Sequence, residues 1–107
     1  MDEKLLRVIK RVKAALEDQG IRVERVILFG SHIKGTANPD SDMDLAVISR
    51  DFEDMNLVER LELIGTAVAK GRIWELIEIK PYTPEEIASQ DKGTFVGDEI
   101  KPVGVDI

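Results

Sequence analysis

The chain has 107 residues, 43% of them apolar and 34% charged, with a formal net charge of −6. Its length and ordinary globular composition predict one domain over residues 1–107, and its acidity disfavours direct nucleic-acid binding, which needs a basic surface. The absence of cysteine excludes disulfides and thiolate metal sites, and a single histidine, His32, disfavours histidine-rich ones.

Membrane and export signals are not evident in the sequence. No apolar run approaches the roughly 20 residues that span a bilayer. The first 20 residues are charged throughout, unlike a secretory signal. These features predict a cytoplasmic protein without membrane contact.

The first half of the chain predicts one helix and two strands. A helix is expected over residues 2–19, because apolar residues recur at spacings of four, three and four. Residues 22–29 are rich in β-branched and aromatic side chains and predict a strand that ends at Gly30. A loop rich in turn-forming residues then leads to a second strand over residues 42–48.

The second half predicts a helix, a strand and smaller elements. Asn56 to Lys70 reads as a helix that ends at Gly71, with Leu57, Leu61, Ile64 and Val68 on one face. Residues 74–80 read as a strand with Trp74, Leu76, Ile77 and Ile79 packed on either side. A short helix follows Thr83 as N-cap, and the last fifteen residues suggest another short helix and a final edge strand. The predicted fold class is α/β (α+β), with helices flanking a small mixed sheet.

Two aspartates open the second predicted strand. Side chains alternate across a strand, so Asp42 and Asp44 project from the same face, about 7 Å apart along it. Hard divalent cations prefer oxygen ligands, and Mg²⁺ is commonly held by one or two carboxylates plus substrate phosphates. The alternative is a pair of solvated acids at a surface turn.

A glycine and a serine follow the first predicted strand. Gly30 allows close approach of the backbone to a ligand, and Ser31 offers N–H and hydroxyl groups suited to phosphate. A plain β-turn is the alternative for Gly30-Ser31. Lys34 and Arg50 are candidates for extra positive charge near a phosphate, with a solvated surface cation as the alternative for both.

Together the two features are typical of phosphoryl or nucleotidyl transfer. A two-metal site commonly needs a third carboxylate, and Glu78 is the candidate. It lies in the next predicted strand between Ile77 and Ile79 and so faces opposite to them. Glu75 and Glu62 are the rival candidates.

The motif resembles the signature of the minimal nucleotidyltransferases, small members of the DNA polymerase β-like superfamily. The resemblance rests on Gly30-Ser31, ten intervening residues, then Asp42-Met43-Asp44. Lys34-Gly35, Ser41 and the segment Tyr82–Glu86 are also similar to that family. It covers the chain from about Val23 to Glu86.

The resemblance implies a polymerase β-like nucleotidyltransferase fold, ATP as donor and two Mg²⁺ ions. By position, Gly30 and Ser31 would hold the β- and γ-phosphates, and Asp42 and Asp44 would ligate both metals. Glu78 would be the third carboxylate, ligating the catalytic metal and helping to deprotonate the acceptor hydroxyl. Many members have aspartate there, so the glutamate is a departure.

The resemblance also implies a partner. Small members of the family act as antitoxins of HEPN-domain toxins, and the expected reaction is transfer of AMP from ATP to a toxin tyrosine. Two alternatives stay open: a non-catalytic antitoxin that neutralises its partner by occlusion, and transfer to a small-molecule acceptor. Self-association as a homo-oligomer is also left open.

Overall fold

The structure, a computed structural model, describes residues 3–30, 43–89 and the short strand at 105–106. The helices are α1 (Glu3–Asp18), α2 (Leu57–Lys70) and α3 (Pro84–Ser89), with a 3₁₀ turn at Arg50–Phe52 before α2. The strands are β1 (Arg25–Phe29), β2 (Met43–Ile48), β3 (Ile77–Tyr82) and β4 (Val105–Asp106).

The strands form one mixed sheet in the order β3-β2-β1-β4. β1 pairs antiparallel with β2 and with β4, whereas β2 and β3 pair in parallel. The parallel pairing follows from α2, which crosses over between β2 and β3. The predicted fold class, with helices flanking a small mixed sheet and a final edge strand, is confirmed.

The main core lies on one face of the sheet, which we call the closed face. Helices α1 and α2 cover it and bury their apolar stripes against alternate residues of the strands. The strand residues involved are Val26, Leu28, Met43, Leu45, Val47 and Ile79. They meet Val8, Ile9, Val12 and Leu16 of α1, Ile64 and Ala67 of α2, and Phe52 of the 3₁₀ turn.

The opposite face, which we call the open face, has a smaller core. Ile27 and Phe29 of β1 pack there with Ala46 and Ile48 of β2 and with Ile87 of α3. Because β2 is buried on both faces over most of its length, it reads as a nearly continuous apolar run. Its one partly exposed residue is Asp44.

The helix ends follow the sequence closely. Asn56 caps α2 through a capping box, in which its side chain accepts from the Glu59 N–H and its own N–H donates to the Glu59 carboxylate, both at 2.9 Å. Thr83 precedes α3 and accepts from the Glu86 N–H at 3.1 Å. The predicted cap at Thr83 is therefore confirmed, and Gly71 ends α2 as expected.

The prediction for the third strand was wrong in its bounds and in the packing of Trp74 and Leu76, whereas Ile77 and Ile79 pack against the core as predicted. β3 starts at Ile77, and Trp74 and Leu76 are 78% and 58% exposed. The turn after α2 brings Ile73 into the core instead. β3 continues through Pro81 because β3 is an edge strand of the described sheet. The missing N–H of proline therefore costs no hydrogen bond to a neighbouring strand.

Other differences are smaller. The first strand starts at Arg25 rather than residue 22, and α1 ends at Asp18 rather than residue 19. The predicted start of α1 at residue 2 lies outside the described residues. The predicted start of the second strand at Asp42 and the short helix after residue 92 lie outside the described residues. No helix in the described ranges is both long and apolar enough to cross a membrane.

Candidate nucleotide and metal site

Two predicted carboxylates meet near the starts of β2 and β3. Asp44 and Glu78 are the second residues of their strands and are register partners in the parallel pair. Register partners in parallel strands present their side chains on the same face, here the open face. Their side chains are close enough to share a hydrogen bond when one carries a proton.

Gly30, directly after β1, completes this corner. Its φ is +81°, a conformation that residues with a Cβ rarely adopt. A Cβ there would collide with the Asp44 carboxylate oxygen Oδ2 and lie 3.0 Å from Asp44 Cγ. Glycine is thus required by its backbone conformation and by the space that Asp44 occupies, and the structure brings Gly30, Asp44 and Glu78 together.

Lys80 also belongs to this corner, and the sequence analysis missed it. Its Nζ lies 2.9 Å from Glu78 Oε1. The Lys80 hydrogen bond and charge lower the pKa of Glu78, outweighing desolvation, so Glu78 is ionised at neutral pH. The signal was available: Lys80 is two residues after Glu78, and strand alternation places both on one face.

The rival carboxylates lie elsewhere. Glu75 forms an ion pair with Arg11 of α1, with 3.0 Å between Oε2 and Nη1. Glu62 is exposed on α2, which packs on the closed face. Arg50 follows the far end of β2 and pairs with Glu24. Of the three candidates for the third carboxylate, Glu78 is the one beside Asp44.

Ser31, His32, Lys34 and Asp42 lie outside the described residues. Within the described ranges, no group of three or more histidine, aspartate or glutamate side chains is arranged to hold a metal ion. Asp44 and Glu78 nevertheless fit a divalent cation, because two hard oxygen donors share one face of adjacent strands. The Glu78 side chain is 53% exposed, so the pair is open to a ligand.

A separate pocket of about 390 Å³ lies at the other end of β3. It is lined by Met55, Asn56, Leu57, Arg60, Pro81, Tyr82 and Glu86. Arg60 is buried there and bonds to Glu86 at 2.7 Å. Burial raises the pKa of the Tyr82 hydroxyl. Tyr82 is the fourth residue after Glu78 along β3, about 13 Å away, so the pocket is distinct from the carboxylate corner.

The family model for the nucleotidyltransferase domain matches residues 9–96 of this chain. The chain belongs to the nucleotidyltransferase domain family. The matched segment includes Gly30, Asp44 and Glu78, and also the motif residues that lie outside the described ranges. Among curated proteins, none matches the chain.

Solved structures support the fold of this nucleotidyltransferase domain. A candidate nucleotidyltransferase from Sulfolobus solfataricus has a TM-score of 0.61 at 19% identity, over 94% of this chain and 79% of that one. The BolA1 protein of Arabidopsis thaliana reaches 0.53 at 18% identity, over 80% of this chain and 98% of that one. Two such different proteins share the architecture, so function has to be argued from the site.

A toxin–antitoxin complex solved with AMP-PNP is also similar to the chain. It has a TM-score of 0.49 at 22% identity, over 77% of this chain and 59% of that one.

Proposed function

We propose that the protein is a divalent-metal-dependent nucleotidyltransferase whose site is built on Gly30, Asp44 and Glu78. One observation carries the proposal: Asp44 and Glu78 are register partners on one face of the sheet, beside Gly30, where a Cβ would collide with the Asp44 carboxylate. Membership of the nucleotidyltransferase domain family assigns the class of reaction.

The metal would be held by Asp42, Asp44 and Glu78, since strand alternation predicts Asp42 on the same face as Asp44. Bound Mg²⁺ supplies neutralisation of phosphate charge and polarisation of the phosphorus under attack. Gly30, Ser31 and Lys34 would orient the phosphates. The Lys80 hydrogen bond and charge lower the pKa of Glu78, so its carboxylate is ionised at neutral pH, the form that binds a cation.

The donor and the acceptor are further parts of the proposal. We assign ATP as the donor and a tyrosine hydroxyl of a HEPN-domain toxin as the acceptor, with transfer of AMP. The tyrosine oxygen forms a bond to the α-phosphorus of ATP. The bond between the α-phosphorus and the oxygen that bridges it to the β-phosphorus breaks, pyrophosphate leaves, and the hydroxyl proton is released. These assignments depend on the motif resemblance of residues 30–44.

The test is a transfer assay with the purified protein, labelled ATP, Mg²⁺ and the protein encoded beside it. An AMP-sized mass gain on that partner, lost in Asp44→Asn, is the expected result. Glu62→Gln is the matched control, because it also neutralises one carboxylate but lies on α2 over the closed face. Equal transfer by Asp44→Asn and wild type would overturn the proposal.

A non-catalytic antitoxin is the second candidate function. The observation that favours it is the ion pair between Lys80 and Glu78. The Lys80 ammonium already occupies one oxygen of the carboxylate that would be the third metal ligand. Under this alternative, Asp44→Asn and Glu78→Gln still protect the partner and still form the complex. Under the enzyme proposal both substitutions abolish protection, measured as partner activity after incubation with ATP.

A further inference from the structure

Lys80 is placed on the face of the sheet that carries the candidate site. It lies opposite Ala46, a fully buried small residue, in the parallel pairing of β2 and β3. Strand alternation puts it on the same side as Glu78 and Tyr82. Its side chain is only 30% exposed, so the aliphatic stem is largely covered while the amine reaches Glu78.

The Lys80 ammonium and a divalent cation would compete for Glu78. The ammonium nitrogen lies 2.9 Å from Oε1, whereas a magnesium ligand oxygen lies about 2.1 Å from its ion. A metal on Oε1 would therefore lie within about 5 Å of the ammonium, a distance at which like charges repel appreciably even in a solvated site. Metal binding at that oxygen is therefore weakened while Lys80 keeps this position.

Nucleotide phosphates offer the ammonium another partner. Phosphate oxygens accept strong charge-assisted hydrogen bonds from lysine, and the lysine stem rotates freely enough to change partner. A triphosphate entering beside Asp44 and Glu78 would bring both the acceptor for Lys80 and further ligands for the metal.

We propose that Lys80 is a positioning residue that occupies Glu78 in the free protein and transfers to the nucleotide phosphates when nucleotide and metal bind together. The inference rests on the proposed function. It makes metal binding to the free protein weak and couples it to nucleotide binding. Lys80 thereby sets the order in which the site is filled, without taking part in bond making.

The first experiment measures Mn²⁺ binding to the nucleotide-free protein by the loss of the free Mn²⁺ signal in electron paramagnetic resonance. We expect Lys80→Met to bind Mn²⁺ about tenfold more tightly than the wild type, because one positive charge near the ion is removed. Lys80→Arg keeps the charge and is expected to bind no more tightly than the wild type.

Two further variants control this measurement. Lys10→Met removes the same charge from an exposed position on α1, over the closed face, and should leave Mn²⁺ binding unchanged. Asp44→Asn should weaken Mn²⁺ binding. Equal affinities for Lys80→Met and the wild type, with Asp44→Asn weaker, would overturn the role of Lys80 while leaving the proposed metal site intact.

The second experiment measures binding of AMP-PNP in the presence of Mg²⁺ by calorimetry. Lys80→Met is expected to bind the nucleotide several-fold more weakly, because it lacks the ammonium that meets the phosphates, and Lys80→Arg should restore binding. Unchanged nucleotide affinity in Lys80→Met would overturn the proposal that the Lys80 amine moves from Glu78 to the nucleotide phosphates. Absence of both Mn²⁺ and nucleotide binding in the wild type would overturn the proposed function itself.

Discussion

The two faces of the sheet differ in what covers them. Within the described ranges, sixteen buried apolar residues form the core of the closed face under α1 and α2, whereas five form that of the open face. The open face also carries Asp44, Glu78 and Lys80, for which a fully covered face would have no room. The closed face therefore supplies most of the buried apolar core, and the open face leaves the Glu78 carboxylate exposed.

Two neighbouring residues of β2 show the same contrast between the faces. Asp44 is partly exposed beside Glu78, whereas Leu45 is fully buried in the closed-face core. Arg60 connects the two faces around the β3 edge, because it belongs to α2 and bonds to Glu86 of α3 at 2.7 Å. The comparison predicts that substitutions on the two faces separate stability from binding.

The largest expected effect is that of Leu45→Ala. Removing this side chain should lower the free energy of unfolding by about 3–4 kcal/mol, because it leaves a cavity in a closely packed core. Urea unfolding followed by circular dichroism measures it, with Asp44→Asn as the matched neighbour, expected within about 1 kcal/mol of the wild type. Similar losses in both variants would contradict the division between the faces.

Gly30→Ala should affect both stability and binding. A positive φ at a residue with a Cβ costs about 1–2 kcal/mol, and the new methyl group must also displace the Asp44 carboxylate. We therefore expect a loss of unfolding free energy in that range together with weaker Mn²⁺ binding. Gly20→Ala is the control, since Gly20 also has a positive φ but an added Cβ meets nothing within 4 Å. Loss of Mn²⁺ binding in Gly20→Ala as well would contradict the steric argument.

Glu86→Gln tests the polar attachment of α3 to the open face. Desolvation raises the Glu86 pKa, but hydrogen bonds from Arg60 and the Thr83 N–H outweigh it, so the pKa lies below its ordinary value of 4.5. A lowered folded-state pKa adds stability above pH 4.5 that is lost as the pH falls through the folded value. The carboxylate is 39% exposed, so the contribution at neutral pH is about 0.5–1 kcal/mol after screening.

The measurement for Glu86→Gln is the free energy of unfolding as a function of pH. Its difference from the wild type should be largest at neutral pH and shrink as the pH falls below 4.5. Glu85→Gln, on the exposed side of the same helix, should leave the wild-type pH profile unchanged. A difference that stays constant with pH would show that the ion pair is not its cause.

The smallest expected effect is that of Trp74→Ser. The Trp74 side chain is 78% exposed, so its removal should change the unfolding free energy by no more than about 0.5 kcal/mol. Ile73→Ser, at the neighbouring buried position, should cost several times more. A large loss in Trp74→Ser would mean that this tryptophan is covered in solution.

Local patterns predicted much of the fold. The apolar spacing of α1, the cap at Thr83 and the glycine at position 71 depend on residues within one or two turns of each other, and the structure confirms them. The predicted apolar face of α2 is wrong in part, because Leu57 and Leu61 are 61% and 48% exposed whereas Ile64 is buried. The bounds of β3 were predicted less well, because Trp74 and Ile73 are both apolar neighbours and only the exit angle of α2 decides which enters the core.

The sequence by itself determined the order of the main helices and strands, the apolar face of α1 and a set of candidate residues, because each depends on spacing along a short stretch of chain. Tertiary structure alone decided that Glu78 is in register with Asp44, that Gly30 makes room for the Asp44 carboxylate and that the Lys80 amine bonds to Glu78. The register of strands joined by a crossover helix is set by the packing of all the elements at once, so short-range spacing does not specify it.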